Sequence, residues 1–331
     1  MKIVSHSDID RSAWRDLVRE SRTGSWFQLP EAYAFFERMQ SLFVPFAYAV
    51  CQEDRLRGVC VGYVTKERSA IRQFFTRRAI IIGGPCLADD CTDEEVEALM
   101  TAVRENLQAK AIYIESRNFN DYSQWTTAFG KAGFNYQKHL NFHVNCSDSE
   151  LLWERLSDNR KRQIRKADGT VVAALAVDES EIREWYKVLE QLYQTKVKTP
   201  LWPVEFFVEA FRQGVGKFML VKSGGQVIGG SMLAVLEGKC VYEWFECGLN
   251  AAYREQYPSV MATYSGMKFA ADAHIPKYDM MGAGKPGVPY GVRDFKSEFG
   301  GEQVEHGRYL SICKPWLYKL GAFGVRMLKR E

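Results

Sequence analysis

The chain lacks most of the features that mark specialised protein classes. Only five histidines occur in 331 residues. None stands with cysteines at zinc-ligand spacing, so neither a metal nor another cofactor is expected. None of the eight cysteines belongs to a C-x-x-C pair. Cys60 and Cys240 fall in apolar, strand-like runs, where a free thiol behaves as a small hydrophobe. Such usage reads as a reduced, cytoplasmic protein and not as a disulfide framework. No apolar run is long enough to span a bilayer, and the opening MKIVSHSDID lacks the apolar centre of a secretory signal. Strong charge of one sign is missing too. The 44 basic and 41 acidic residues leave a net +3, too mild by itself to mark a nucleic-acid binder.

What is present is a folded α+β pattern, long enough for two domains. Hydrophobic periodicity predicts helices over 10–21, 30–40, 93–109 and 121–132, and strands over 45–52, 56–66, 78–86, 111–116 and 134–145. Thr92 before the acidic TDEEVEALM is the expected N-cap of the third helix. The second half predicts helices over 149–167, 180–195, 203–213, 258–273 and 291–299, with strands over 217–223, 226–236, 240–247, 277–281 and 303–312. A long-period repeat accompanies this order. SQWTTAFGKAGF and VRDFKSEFGGEQ share the spacing of two aromatics and a following glycine. The expected organisation is two copies of one unit, 1–148 and 149–313, with residues 314–331 packing back on the first.

Chemistry concentrates in the second half. RLSDNRKRQIRKA presents Arg160, Lys161, Arg162, Arg165 and Lys166 on a helix. It is either a solvated charged face or a dock for phosphates. VYEWFECGLN places Glu243 and Glu246 on one strand, where alternation predicts opposite faces, with Tyr242 and Trp244 sharing a face. The following loop, REQYPS, precedes a helix and resembles the pyrophosphate loop of GNAT acyltransferases, which uses the helix N-terminus to hold an anion. Tyr257 and Ser259 stand where that loop has small residues, so a coenzyme A site is damaged or absent. The strand KYDMM exits into Gly282 and Gly284. Asp279, at its end, either caps the loop or acts. The helix after Tyr290 carries Arg293 and Lys296, and its stripe Val292, Phe295 and Phe299 predicts that Lys296 borders apolar surface with its ammonium toward a cleft.

NRKRQIRKA, YDMMGAG, DFKSEFGGE and the opening GSWFQLPEAYAFFE together resemble the Fem-type aminoacyltransferases, from Gln28 to Glu302. The resemblance implies two tandem GNAT-like domains without a coiled-coil insertion. It implies transfer of an amino acid from aminoacyl-tRNA to the stem-peptide amine of a peptidoglycan precursor, linked to a nucleotide or to a lipid. Lys296 then serves as the cation near the reacting ester or the tRNA end, and Glu243 or Glu246 accepts the amine proton. Tyr242, Trp244, Tyr257, Gly282, Gly284, Tyr290 and Arg293 are the implied substrate contacts, and the basic helix takes tRNA phosphates. The positions where compact members hold precursor phosphates fall on Phe35 or Phe36 and on Trp202, none of which pairs with phosphate. Two other readings stay open: an acyl-CoA or acyl-carrier N-acyltransferase acting on a sugar or lipid amine, and a non-catalytic RNA-binding or precursor-binding protein. The basic, apolar C-terminal segment is either a packed helix or a contact for an anionic membrane.

Overall fold

The structure is a computed structural model that describes every residue except Arg68, Lys198 and residues 329–331; of Ala70, Arg72 and residues 322–328 it describes the backbone alone. It consists of two compact units, Met1–His139 with His306–Glu331, and Leu140–Glu305. Up to His139 the chain forms β1 (Lys2–Ser5), α1 (Arg11–Glu20), α2 (Pro30–Arg38), β2 (Phe43–Gln52), β3 (Arg55–Thr65), α3 (Ala70–Thr76), β4 (Ala79–Gly83), β5 (Cys86–Leu87), α4 (Asp93–Leu107), β6 (Tyr113–Asn118), α5 (Thr126–Lys131) and β7 (Asn135–Gln137). The second unit follows with β8 (Asn141–Asn145), α6 (Ser149–Arg155), α7 (Asp158–Ala167), β9 (Val172–Leu175), α8 (Glu179–Leu192), α9 (Val204–Arg212), β10 (Lys217–Ser223), β11 (Gln226–Leu236), β12 (Cys240–Gly248), α10 (Pro258–Asp272), β13 (Lys277–Asp279), α11 (Gly291–Ser297) and β14 (Glu302–Val304). The chain then returns to the first unit as β15 (Arg308–Ile312) and α12 (Pro315–Leu328).

The two sheets match strand for strand. The first runs β1-β2-β3-β4-β6-β15-β7, with β5 beside β3, and the second runs β9-β10-β11-β12-β13-β8-β14. In each, one pair is parallel, β4 with β6 and β12 with β13, and all other pairs are antiparallel. Parallel neighbours need a crossover, which α4 and α10 supply. The expected internal repeat is thus visible in the topology. Its boundaries differ from those read in the sequence. The single strand expected over 134–145 is two strands in different sheets, and so is the one expected over 303–312. The chain passes between units at 139/140 and 305/306. Each sheet therefore receives its next-to-last strand, β15 or β8, from across that passage. Helix 149–167 is also divided, because Leu156 and Ser157 are extended and Ser157 caps α7 through Arg160 N.

Local chemistry explains the elements. Thr92 and Glu95 form a reciprocal capping box at the start of α4. Val96, Leu99, Met100, Val103 and Leu107 then meet Val50, Cys60, Ile81, Ile114 and the rings of Trp125 and Phe129 in the first core. The second core gathers Phe142, Val144, Ile164, Leu233, Val241, Met267, Tyr278 and Phe299. Helix α10 is apolar nearly all round because it lies buried over its sheet. In the first unit, Trp316 packs near Phe74, Tyr318 against Tyr113, and Leu317 is buried, while Trp316 and Leu320 remain largely exposed. Lys329 and Arg330 of the expected basic tail lie outside the described residues. No helix among the described residues is long and apolar enough to cross a membrane.

One polar side chain holds the first sheet open. Strands β3 and β4 pair only at Tyr63–Ile80 and Val64–Ala79. Beyond this the fully buried Gln28 bridges them: its Nε2 donates to the carbonyls of Val61 and Ile82 at 3.0 Å each, and its Oε1 accepts from Val61 N at 2.7 Å. Replacement Gln28→Leu leaves three buried backbone groups without partners. The first unit should lose about 3 kcal/mol of unfolding free energy, read as a lower urea midpoint with far-UV circular dichroism unchanged before the transition.

Candidate functional site

The corresponding place in the second unit carries ionisable groups. Strands β12 and β13 pair only from Cys240–Lys277 to Tyr242–Asp279. They then part: β12 continues along β11 to Gly248, and Met280 N turns to Phe142 O of β8. A β-bulge in β12 decides what faces the gap. Phe245 lies opposite Met232 and Glu243 opposite Leu233, so Trp244 is an extra residue. An inserted residue resets the alternation of a strand. Glu243 and Glu246 therefore lie on one face, not on the opposite faces expected from simple alternation. Trp244 and Phe245 instead meet Phe206 and Phe207 of α9 edge to face. Tyr242 is fully buried.

Glu243 is buried and held by Thr263 of α10 and Tyr278 of β13, whose hydroxyls donate to Oε1 at 2.8 and 2.9 Å. Burial raises its pKa, against the opposing pull of Lys296. Glu246 is also pushed up, to about 8, by burial and then by the charge of Glu243. Its Oε1 is shielded and has no hydrogen-bond partner among the described residues. Ser231, directly across on β11, likewise has a shielded hydroxyl without a partner among the described residues. Two unpaired, shielded oxygens on directly opposed residues mark a place for a water or a substrate group.

Lys296 sits beside these carboxylates, with its position fixed by the backbone. The ammonium donates to the carbonyls of Met280, Met281 and Gly282, the last two at 3.0 and 2.9 Å. The side chain is buried, and burial lowers its pKa while Glu243, Asp279 and Glu246 oppose the shift. The N–H groups of the same loop go the other way. Met281 N donates to Asp279 Oδ1 at 2.8 Å, and Gly282 N to Asn141 Oδ1 at 2.9 Å. Asn141 Nδ2 and the ring of His143 hold Asp279 in turn. They outweigh the effect of burial and keep its carboxyl below the usual range. This clamp accounts for the left-handed backbone of Met281, at φ 52°, a costly conformation outside glycine.

Other expected site residues are distributed differently. Val292 is exposed, so the buried residue of α11 is Lys296, with Phe295 at its margin and buried Phe299 just past its end. Arg293 braces the loop through Nε to Ala283 O at 3.0 Å, and exposed Tyr290 covers Gly284. Arg160 is buried. Its guanidinium lies over the rings of Phe295 and Phe299 at 4.5 and 5.0 Å and donates to Gln163 and to Phe295 O. A phosphate dock at Arg160 is thereby excluded from this arrangement. Lys161 bonds Glu154 O, Arg162 bonds Asn159, Lys166 pairs with Glu255, and Arg165 lies over Trp153. Phe35 and Phe36 are core residues.

The start of α10 is closed. Tyr257 is its N-cap, in the left-handed region at φ 44°. Ser259 N donates to Asn250 Oδ1 at 3.1 Å, and Asn250 Nδ2 donates to Ser259 Oγ at 2.7 Å. Gly248 packs so closely that a Cβ there would lie 2.6 Å from Ser259 N. The asparagine amide thus occupies a donor that an anion at this helix end would use. Asn250, Ser231, Asn141 and His143 were not singled out in the sequence; only the alternation of Asn141 and His143 along one strand hinted at a shared face.

A family model for the acetyltransferase (GNAT) domain matches residues 155–297. Comparison with curated protein sequences returns no match. Among solved structures, FemX superposes with a TM-score of 0.74 at 14% identity, covering 97% of this chain and 99% of that one. The C-terminal domain of a putative lysylphosphatidylglycerol synthetase from Agrobacterium fabrum gives 0.56 at 14% identity, covering 91% and 90%. A tandem GNAT protein from the clavulanic acid biosynthesis pathway gives 0.57 at 8% identity, covering 94% and 98%. The chain therefore shares its fold with FemX and with a tandem GNAT protein, and its second unit carries an acyltransferase domain.

If the Lys296 ammonium organises the loop, Lys296→Met strands three carbonyls. Stability of the second unit should fall by about 3 kcal/mol or more. Hydrogen exchange at Met281 and Gly282 should quicken more than exchange in β10 or β11.

Proposed function

We propose that the protein transfers an amino acid from aminoacyl-tRNA to the amine of a peptidoglycan precursor, nucleotide-linked or lipid-linked, at the cytoplasmic side of the membrane. The observation that carries this reading is the pairing of a closed α10 N-terminus with the buried carboxylates beside it. Asn250 at Ser259 disfavours a coenzyme A pyrophosphate. An ester donor needs no such anchor, because it is already activated and requires mainly positioning. The likeness in fold to FemX and to a lysylphosphatidylglycerol synthetase domain supports the same choice over an acyl-CoA donor.

In this reading the acceptor nitrogen attacks the ester carbonyl, the new amide bond forms, and the C–O bond to the terminal ribose breaks. The proton leaving the nitrogen goes to Glu246, whose free Oε1 and raised pKa suit a base working near neutrality. It then passes to the departing ribose oxygen. Glu243, satisfied by Thr263 and Tyr278, raises the proton affinity of Glu246 through its charge. Lys296 acts as a positioning residue. It shapes the loop from Met280 to Gly282, and its charge keeps the two carboxylates from becoming too basic. Exposed Tyr290 and the loop glycines are the proposed substrate contacts, and Lys161, Arg162, Arg165 and Lys166 the proposed tRNA phosphate contacts.

The test is mass spectrometry of precursors after incubation with a pool of charged tRNAs. The expected product gains one aminoacyl residue. The single-turnover rate should rise with pH as Glu246 loses its proton through about 8, and Glu246→Gln should abolish that rise and slow transfer about 100-fold. Acetyl transfer from acetyl-CoA with no transfer from charged tRNA would overturn the proposal.

A further inference from the structure

On the first sheet, far in sequence from the site above, two arginines face each other. Arg117 of β6 and Arg308 of β15 are directly opposed in an antiparallel pair. Like charges so placed destabilise a sheet unless something neutralises them. The protein supplies one carboxylate. Arg117 Nε donates to Glu115 Oε2 and Arg308 Nη1 donates to Glu115 Oε1, each at 2.8 Å. Burial pushes the Glu115 carboxyl up, but the two guanidinium charges outweigh it and bring it to about 2. Both carboxylate oxygens are thus committed, and the cluster keeps one surplus positive charge.

The surplus is accessible. The Arg117 side chain is 36% exposed and that of Arg308 27%, whereas Glu115 is 14% exposed. The two Nη groups of Arg117, and Nε and Nη2 of Arg308, have no partner among the described residues. The surroundings extend the polar row. Gln137 of β7 lies opposite Arg308 on its other side. Tyr63 of β3 lies in the neighbouring row, that of Ile80 and Glu115, and feels the charges of Arg117 and Arg78. The residues between these, Ser116 and Tyr309, face inward, where Tyr309 stacks on Phe129 at 4.0 Å, so the sheet itself is rigidly backed.

We propose that Arg117 and Arg308 form an oxoanion-binding site on the first unit, with Glu115 fixing the two guanidinium planes and a ligand carboxylate or phosphate taking their unused N–H donors. Planar guanidinium forks match both anions, and charge-assisted bonds of this kind are the strong ones. The site is independent of the donor chemistry proposed above, since none of its residues belongs to the second unit. It also supplies cations of the kind that Phe35, Phe36 and Trp202 do not provide.

The test uses the full chain and two probes, inorganic phosphate and N-acetylglycine, titrated by calorimetry at low salt. At least one probe should bind at millimolar or better affinity, and the tighter of the two identifies the anion class. Arg117→Gln and Arg308→Gln should each weaken binding about 10-fold or more, while Arg19→Gln on exposed α1 leaves it unchanged. A second variant guards against loss of fold. Glu115→Gln leaves the arginines facing each other without a counter-ion, so the same probe should raise its melting temperature more than that of the parent protein. Equal affinity in parent and arginine variants, no binding of either probe, or no extra stabilisation of Glu115→Gln would overturn the assignment.

Discussion

The second unit depends on one cation gripped by backbone. Three successive carbonyls, from Met280 to Gly282, converge on the Lys296 ammonium, while the amides of Met281 and Gly282 turn to Asp279 and Asn141. A peptide loop normally places its donors and acceptors in water or in regular ladders. Here a cation takes the acceptors, while a carboxylate and a neutral amide oxygen take the donors. The cost of burying an ammonium is offset by three acceptors and by the charges of Glu243, Asp279 and Glu246, and the strained backbone of Met281 is held by the same contacts.

From that clamp the rest of the site follows. Because the loop turns away at Met280, β13 leaves β12 after Asp279 and a gap opens between parallel strands. The bulge at Trp244 then turns both glutamates toward α10, where Thr263 and Ser259 await them. One carboxyl is held by two hydroxyls at Oε1 and the other has a shielded Oε1 with no partner among the described residues. Environment alone gives two residues of the same chemical type different partners, the basis of the separate roles proposed for them. The first unit repeats the topology without this chemistry. Its equivalent strands are bridged by neutral Gln28.

Much of the fold could be read from the sequence because periodicity reports burial. The order of elements, the Thr92 cap and the internal repeat were all legible at that level. The exchange of β8 and β15 was not. Both lie in runs whose strand-like pattern continues through the passage between units, and alternation carries no information about which sheet a strand joins. The bulge was hidden for a related reason: an extra residue in a strand has no sequence mark when it is a tryptophan that packs well on Phe206. Lys296 stood out through its setting between Phe295 and Phe299, yet its partners are main-chain carbonyls, which no side-chain motif can disclose. Arg160 was grouped with its basic neighbours because composition does not distinguish a cation stacked on two rings from one in water.

The central claim is that the Lys296 nitrogen is committed to the loop and not to the substrate. Nitrogen-15 spectroscopy of side-chain-labelled lysine tests it most directly, with Lys296 assigned by its loss in a Lys296→Arg protein. The account predicts a protonated, slowly exchanging ammonium signal at neutral pH that keeps its shift when charged tRNA or precursor is added. A rapidly exchanging signal, or one that moves on addition of either substrate, would contradict it.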